Sequence, residues 1–401
     1  MGGGLMQLVA YGAQDVYLTG DPEITFFKAI YRRHTNFAIE SIAQVFNGTT
    51  GFGRKATVTI SRNGDLVTNT FLEVKLPALQ AGWKWNNNIG HNIIEEVELE
   101  IGGQRIDRHY GEWLDIWSEL TMSEEKKGMF DAEMIGRYAG STSTNGNART
   151  LYIPLQFFFN RNQGLALPLI ALQYHEVKIN FTFAPLAELT TPDTAIGVVA
   201  TTSPVVANDP SMSCYIDYVY LDTEERKRFA QSQHELLIEQ LQFTGDETPQ
   251  VNGSYRLNFN HPVKELVWVV SQPKSGNRFN YGELTDPRVE PVKDANLQLN
   301  GHDRFDKREG SYFRLVQPFQ HHTRIPQKNI YVYSFAVKPE EHQPSGTCNF
   351  SRIDNATLKL TLNYTNDAKT GFNNDDKVKI YATSVNVLRI LSGMGGLAYS
   401  N

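Results

Sequence analysis

The sequence predicts an all-β protein built twice over, and three observations predict it. The chain has 401 residues, more than the ~250–300 that a single hydrophobic core organises, so two domains are the natural expectation. Its apolar residues fall mainly in short runs of period two, the spacing of strands with one wet face. Two segments roughly 200 residues apart also repeat the same order of residues. The 40% hydrophobic and 20% charged content belongs to an ordinary folded chain and not to a disordered one.

Residues 1–35 read as an arm. Asp21-Pro22-Glu23 predicts a short helix reaching about Tyr31, with Asp21 as N-cap and Pro22 at its first position. Arg32, Arg33 and His34 then form a basic cluster, whose ordinary role is a solvated face.

The first domain is expected over residues 36–222. Ala56, Val58 and Ile60 alternate with threonines, and Arg62-Asn63-Gly64-Asp65 predicts a hairpin turn. Leu72, Val74 and Leu76 mark the next strand. Val97, Leu99 and Ile101 alternate with glutamates, and Val177, Ile179, Phe181 and Phe183 with polar residues. A helical insert near 111–136 interrupts this pattern. Trp113, Ile116, Trp117 and Leu120 stand at i, i+3, i+4 and i+7, one helix face, and core packing on a barrel is the expected role of that stripe. A second helix is expected from Ser123, with Glu124 and Glu125 in its first turn.

Glu224 to Phe229 carries five charges in six residues and marks a linker over 223–233 with a short helical turn. The second domain, 234–401, repeats the strand pattern. Leu266, Trp268 and Val270 are interleaved with Val267 and Val269, which predicts burial on both faces. Tyr331 to Val337, Leu358 to Leu362 and about Lys377 to Ile390 are further strands.

The repeat ties the halves together. Leu99-Glu100-Ile101-Gly102-Gly103, Arg105-Ile106-Asp107-Arg108 and Gly111-Glu112-Trp113 match Leu297-Gln298-Leu299-Asn300-Gly301, Arg304-Phe305-Asp306-Lys307 and Gly310-Ser311-Tyr312, with one residue inserted before Arg304. A period this long is a duplicated domain and not a solenoid unit. Each half offers about eight strands, the number in a jelly roll. The fold class expected is therefore two tandem eight-stranded jelly rolls with a short N-terminal arm and small helical inserts.

The same reading excludes several functions. A net charge of −6 argues against a chain-wide grip on nucleic acid. No apolar run reaches the ~18 residues of a membrane span, and the N-terminus lacks a secretory pattern. Gly2 hints at myristoylation, but Met6 stands where Ser or Thr is required. Cys214 and Cys348 fit no metal spacing and read as buried thiols. His321-His322 is the most metal-like pair, yet neighbours on a strand point to opposite faces. Gly393-Met394-Gly395-Gly396 lacks the lysine and helix of a phosphate loop and reads as a flexible or tightly turned tail. No G-x-S-x-G elbow or H-E-x-x-H occurs, and no carboxylate pair stands out. No enzyme activity, cofactor or metal is expected. Asn47, Asn180, Asn252, Asn349, Asn355 and Asn363 lie in N-x-Ser/Thr sequons; they are the candidate glycosylation positions, with ordinary surface or strand positions as the plainer expectation.

Several stretches together carry a family resemblance along the whole chain. They include LVAYGAQDVYLTGDPEITFFKAIYRRHTNFAIES, IGGQRIDRHYGEWLDIWSELT, YVYLDTEERKRFAQ, LNGHDRFDKREGSYFRLVQPFQHHTRIPQ and LSGMGGLAYSN. The sequence resembles the major capsid proteins of nucleocytoplasmic large DNA viruses. The resemblance implies a virion shell protein forming homotrimers. These are pseudo-hexagonal capsomers of an icosahedral capsid, assembled in the host cytoplasm over an inner membrane. Neighbouring capsomers and minor capsid and penton proteins are the implied partners, without direct nucleic-acid binding. It also implies an inward-facing arm up to about Thr35 and a tower contribution from about Gly102 to Thr150. The connections Pro185–Ser211 and Val270–Asp294 are short for elaborate towers. Two other classes compete. One is a glycan-acting double jelly-roll enzyme with an acidic cleft between barrels. The other is a carbohydrate-binding attachment protein with an aromatic platform, for which Trp83 and Trp85 are the candidates.

Overall fold

The computed structural model describes residues 2–137, 146–193, 208–273, 276–282, 290–363 and 375–399, and the chain divides into two units, Met1–Asn36 and Phe37–Asn401. In the first unit, helices α1 (Gly3–Val9) and α2 (Asp15–Thr19) bury no residue. The helix expected from Pro22 to Tyr31 does not form. Asp21 has φ +47°, the left-handed region, whereas an N-cap needs extended backbone. Ile24, Phe26 and Phe27 are each more than nine-tenths exposed. A short helix holds only when its apolar face is packed, and within the unit nothing packs on this one.

The second unit carries both barrels. The first is built from β1 (Phe37–Gln44), β2 (Lys55–Thr59), β3 (Leu66–Leu76), β4 (Ile94–Ile101), β5 (Gln104–Tyr110), β6 (Arg149–Pro154), β7 (Val177–Phe183) and β8 (Ser211–Leu221). Its antiparallel sheets run β1-β8-β3-β6 and β2-β7-β4-β5. Val58, Leu72, Val74, Val97, Leu99, Ile179 and Phe181 fill the space between them, as their period-two spacing requires. Helix α3 (Gly111–Thr121) follows β5, and α4 (Thr223–Gln231) follows β8, where the Asp222 carboxylate accepts from the Thr223 N–H.

The second barrel uses β9 (His234–Glu247), β10 (Asn252–Arg256), β11 (Pro262–Ser271), β12 (Val292–Leu299), β13 (Tyr331–Ser334), β14 (Ala356–Leu362) and β15 (Lys377–Leu391). Its sheets are β9-β15-β11-β13 and β10-β14-β12, and two short segments, His302–Asp303 and Arg308–Glu309, hold the edge beside β12. This is the strand order of the first barrel over again, so the jelly-roll expectation holds for both halves. A π-helical turn, Tyr312–Val316, runs into helix α5 (Gln317–His321), and β16 (Met394–Leu397) folds back on β15.

The repeated motif has a geometric meaning. Gly102 and Gly103 turn β4 into β5 with φ +57° and +85°, and Asn300 and Gly301 make the matching turn with +49° and +81°. Two successive left-handed residues are the signature of a tight two-residue hairpin. Where strand gives way to helix, a Cβ on Gly111 would sit 2.2 Å from the carbonyl oxygens of His91 and Ile94, and one on Gly310 2.1 Å from that of Val292.

Two local expectations fail. Arg62–Asp65 is not a hairpin, because β2 pairs with β7 and β3 with β8. The segment crosses from one sheet to the other, and neither Asn63 nor Gly64 takes positive φ. The strand expected to reach Val337 stops at Ser334, and Val337 is exposed. Most of the Pro185–Ser211 connection and part of Val270–Asp294 lie outside the described residues. Among the described residues no helix is long and apolar enough to cross a membrane.

Candidate functional site: the joint between the barrels

Helix α3 belongs to the first half of the chain but is packed on the second. Trp113, Ile116, Trp117 and Leu120 are buried against Val267 and Val269 of β11, Val332 of β13 and Tyr381 of β15. Trp113 lies 5.4 Å from the Tyr381 ring, and the Arg161 guanidinium sits 3.9 Å above Trp117. This explains why β11 is apolar on both faces. Leu266, Trp268 and Val270 point into their own barrel, whereas Val267 and Val269 meet the helix. The stripe packs on a barrel as expected, but on the other barrel. Within the insert, β5 is a sheet strand and α3 lies inside the joint.

The reverse face of α3 holds a buried charge cluster. Asp115 is fully buried and accepts from Arg137, from Lys328 at 2.7 Å, from Asn88 at 2.8 Å and from Tyr281 at 3.2 Å. Glu119, one turn on, meets Arg137 and Lys127, and Lys127 also reaches Asp131 at 2.9 Å. Burial alone would raise the Asp115 carboxyl, but Arg137 and Lys328 outweigh it and hold the pKa well below the usual range. Burial also pushes His91 down to about 3, so that it is neutral beside the cluster. Lys328 and Tyr281 come from the second half, the remaining partners from the first. The cluster therefore ties the barrels electrostatically where α3 ties them by packing.

A second tie comes from long strands. β9 and β15 outrun their own barrel, and Ile238, Leu388 and Ile390 join the core of the first. Glu239 on β9 bridges Arg161 at 3.0 Å and Lys264 at 2.6 Å. The glycine-rich segment is not a flexible tail. Ser392 and Gly393 turn the chain with positive φ, and β16 pairs with β15. A Cβ on Gly395 would lie 2.6 Å from Leu172 of the first barrel, and the Leu397 N–H donates to Gln104 at 3.2 Å. Glycine is needed because the Leu172 side chain lies directly against this backbone.

His321 and His322 lie at the end of α5, not on a strand. His321 is within hydrogen-bond distance of the Val337 carbonyl. The His322 ring is fully buried between Glu265 at 2.9 Å and Glu340 at 2.8 Å. Burial alone would lower its pKa, but the two carboxylates raise it to about 9. No cluster of metal-ligating side chains occurs among the described residues.

The other candidates are dispersed. Trp85 is fully buried next to Phe52 and offers no platform with the half-buried Trp83. Cys214 is a buried free thiol and Cys348 a partly buried one. Asn180 sits mid-sheet on β7, with its amide accepting from Thr57 and donating to Glu100. Asn47, Asn252, Asn349, Asn355 and Asn363 are exposed, and Asn363 donates to the Glu290 carbonyl. A cleft of about 550 Å³ between the barrels is lined by Glu95, Glu96, Glu112 and Asp246, but Arg278 and Lys379 line it as well. Glu112 and Asp246 share Lys379, and Arg108 meets Glu96.

Sequence reasoning missed the charge cluster, because Asp, Glu, Lys and Arg are ordinarily solvated. The available signal was Asp115 and Glu119 at i, i+4 inside a helix whose other positions are largely apolar.

Two matching jelly rolls, locked by a helix, an ionic cluster and exchanged strand ends, define a double jelly-roll shell protein. Residues 25–222 match the family described as major capsid protein N-terminus, and residues 225–396 that described as large eukaryotic DNA virus major capsid protein. The chain is 51% identical to the major capsid protein of Pyramimonas orientalis virus and 45% identical to that of Paramecium bursaria Chlorella virus 1, each over 100% of both chains. It superposes on a chain of the PBCV-1 virus capsid quasi-atomic model with TM-score 0.80 and 42% identity, covering 94% of this chain and 100% of that one. The Faustovirus major capsid protein shares the fold alone, with TM-score 0.70 at 12% identity, over 95% and 94% of the two chains. The chain belongs to the major capsid proteins of large eukaryotic DNA viruses; its role is structural and its place is the virion capsid.

Proposed function

We propose that three copies of the chain form one pseudo-hexagonal capsomer of an icosahedral shell. The observation that carries this reading is the doubled barrel. Two domains with the same strand order, held in one rigid piece, let a threefold oligomer present six similar corners. Domains in one chain ordinarily move unless their interface is large and apolar, and α3 supplies such an interface. Sedimentation of the purified chain should give the mass of three 45.3-kDa subunits. A monodisperse monomer at micromolar concentration would overturn it.

In the shell, neighbouring capsomers, minor capsid and penton proteins and the inner membrane are the partners, with assembly in the host cytoplasm. The division into arm (1–35), first jelly roll (36–222), linker (223–233) and second jelly roll (234–401) is supported by sheets that each draw their strands from one side of α4. The arm, with its exposed aromatic residues, works on such partners. The chain is not an enzyme and holds no cofactor: the carboxylates of the cleft between barrels share it with cations. Its net charge of −6 disfavours direct contact with nucleic acid. If the virion protein is glycosylated at sequons, Asn252, Asn349 and Asn355 are the acceptors, since the amides of Asn47, Asn180 and Asn363 donate within the fold.

A further inference from the structure

The helix that locks the barrels together is present twice, and its second version lies open. The offset that places Gly111 on Gly310 (310 − 111 = 199) also places Trp113, Leu114, Ile116, Trp117 and Leu120 on Tyr312, Phe313, Leu315, Val316 and Phe319. Every one of these positions is apolar or aromatic in both halves. Leu114 and Phe313 point into their own barrels. Asp115 falls on Arg314, and each is held by a buried ion pair, Asp115 with Arg137 and Arg314 with Glu290.

Of the remaining four positions, Tyr312 packs on the core of its own barrel, and the other three differ from their counterparts in what covers them. On α3 they are 6% exposed or less, under the second barrel; in the second half, Leu315 and Val316 are each 38% exposed and Phe319 is 74% exposed. One chain has no third barrel to lay on them. The cover that α3 finds is the outer face of β9-β15-β11-β13. The sheet in the same place in the first barrel is β1-β8-β3-β6. Its outer face carries Phe37, Ile39, Phe71, Tyr152 and Tyr215, with Phe71 paired to Tyr215 and Ile39 set opposite Val219. Phe37, Ile39 and Tyr152 are 52%, 55% and 44% exposed. A helix stripe and a sheet face that mixes these aromatic and aliphatic side chains with Asn69, Glu73, Lys75 and Asp217 are thus left over, and they are the two halves of a joint that the chain already makes once.

We propose that α5 and the turn before it dock on the outer face of β1-β8-β3-β6 of a second copy, repeating between chains the joint that α3 makes within one. The inference rests on the trimer reading and names its contact. The contact is head-to-tail, so it propagates around a ring, and three chains with six similar barrels close it.

The test uses the full-length chain with Phe319→Asp on the helix and Tyr152→Asp on the sheet, followed by sedimentation and circular dichroism. Both side chains are exposed, so each variant keeps the wild-type spectrum. Each should fall to monomer where the wild type is trimeric, a weakening of at least ~30-fold, as for a central interface residue. Mixed, the two variants should form a 1:1 pair through the one joint left intact, and no trimer. If the wild type is trimeric and both variants stay trimeric, this contact is wrong and the trimer stands. Monomeric variants that do not pair on mixing also refute the head-to-tail contact. A monomeric wild type refutes both.

Discussion

Asp115→Asn removes one charge from the centre of the joint while keeping the shape of the side chain. Asp115 is wholly buried and faces two cations, Arg137 and Lys328. Breaking a buried ion pair by removing one partner costs ~3–5 kcal/mol, because the other charge is left without compensation. Arg137 retains Glu119 and Asp131. Among the described residues Lys328 retains only the Phe279 carbonyl as a hydrogen-bond partner, at 3.2 Å, but its side chain is 23% exposed and can reach water. We therefore expect the lower end, about 3 kcal/mol. At an unfolding entropy of ~2.1 cal/mol/K per residue, the unit Phe37–Asn401 shifts by ~1.3 °C per kcal/mol, so the expected fall in melting temperature is about 4 °C. Differential scanning calorimetry and urea titration measure it. Adding Lys328→Met to the variant should restore at least ~1 kcal/mol, since the stranded cation is then gone. A variant within ~0.5 kcal/mol of wild type, or a double variant no better than the single, would refute the view that this cluster holds the barrels together.

Stability should pass through a maximum near pH 6.5. His322 is raised from 6.5 to about 9, so its contribution, roughly 3 kcal/mol, is full below 6.5 and lost as pH rises through 9; His322→Gln should flatten the alkaline limb of urea midpoints. His91 is depressed to about 3, so the unfolded chain takes up a proton that the folded one refuses, and stability falls as pH drops from 6.5 toward 3. An alkaline limb unchanged in His322→Gln would contradict the first assignment. Gly111→Ala should abolish soluble folded protein, because its Cβ would meet two carbonyl oxygens. Gly103→Ala, left-handed but in open space, should cost only about 1 kcal/mol in urea unfolding. Deleting residues 1–24 should leave the trimer intact and impair shell assembly. A truncated chain that fails to fold would place the arm in a core.

The barrels were legible because most of their strands have one wet face. The alternation of Val97, Leu99 and Ile101 with glutamates fixes which side is buried, and the repeat fixes how many domains there are. The doubly apolar run around Val267 and Val269 signalled a second cover without saying what it was. Pairing was not legible: Arg62–Asp65 has turn chemistry, but local preference does not tell which sheet the next strand joins. The arm misled for a related reason. Asp21-Pro22 is a good helix start only if something buries Ile24, Phe26 and Phe27. Gly393–Gly396 read as either flexible or tightly turned, and the sequence did not choose the tight turn because the reason for its glycines, Leu172 and His175, lies more than two hundred residues away. The open stripe Leu315, Val316 and Phe319 was readable in principle. Carrying the repeat a few residues past Gly310 brings it into register with α3.

Averaged electron-microscope images of the purified chain test the central claim most directly. Flat, near-hexagonal particles with threefold symmetry and six barrel-sized lobes are the expected result. Two-lobed single subunits, or rings of any other symmetry, would contradict it.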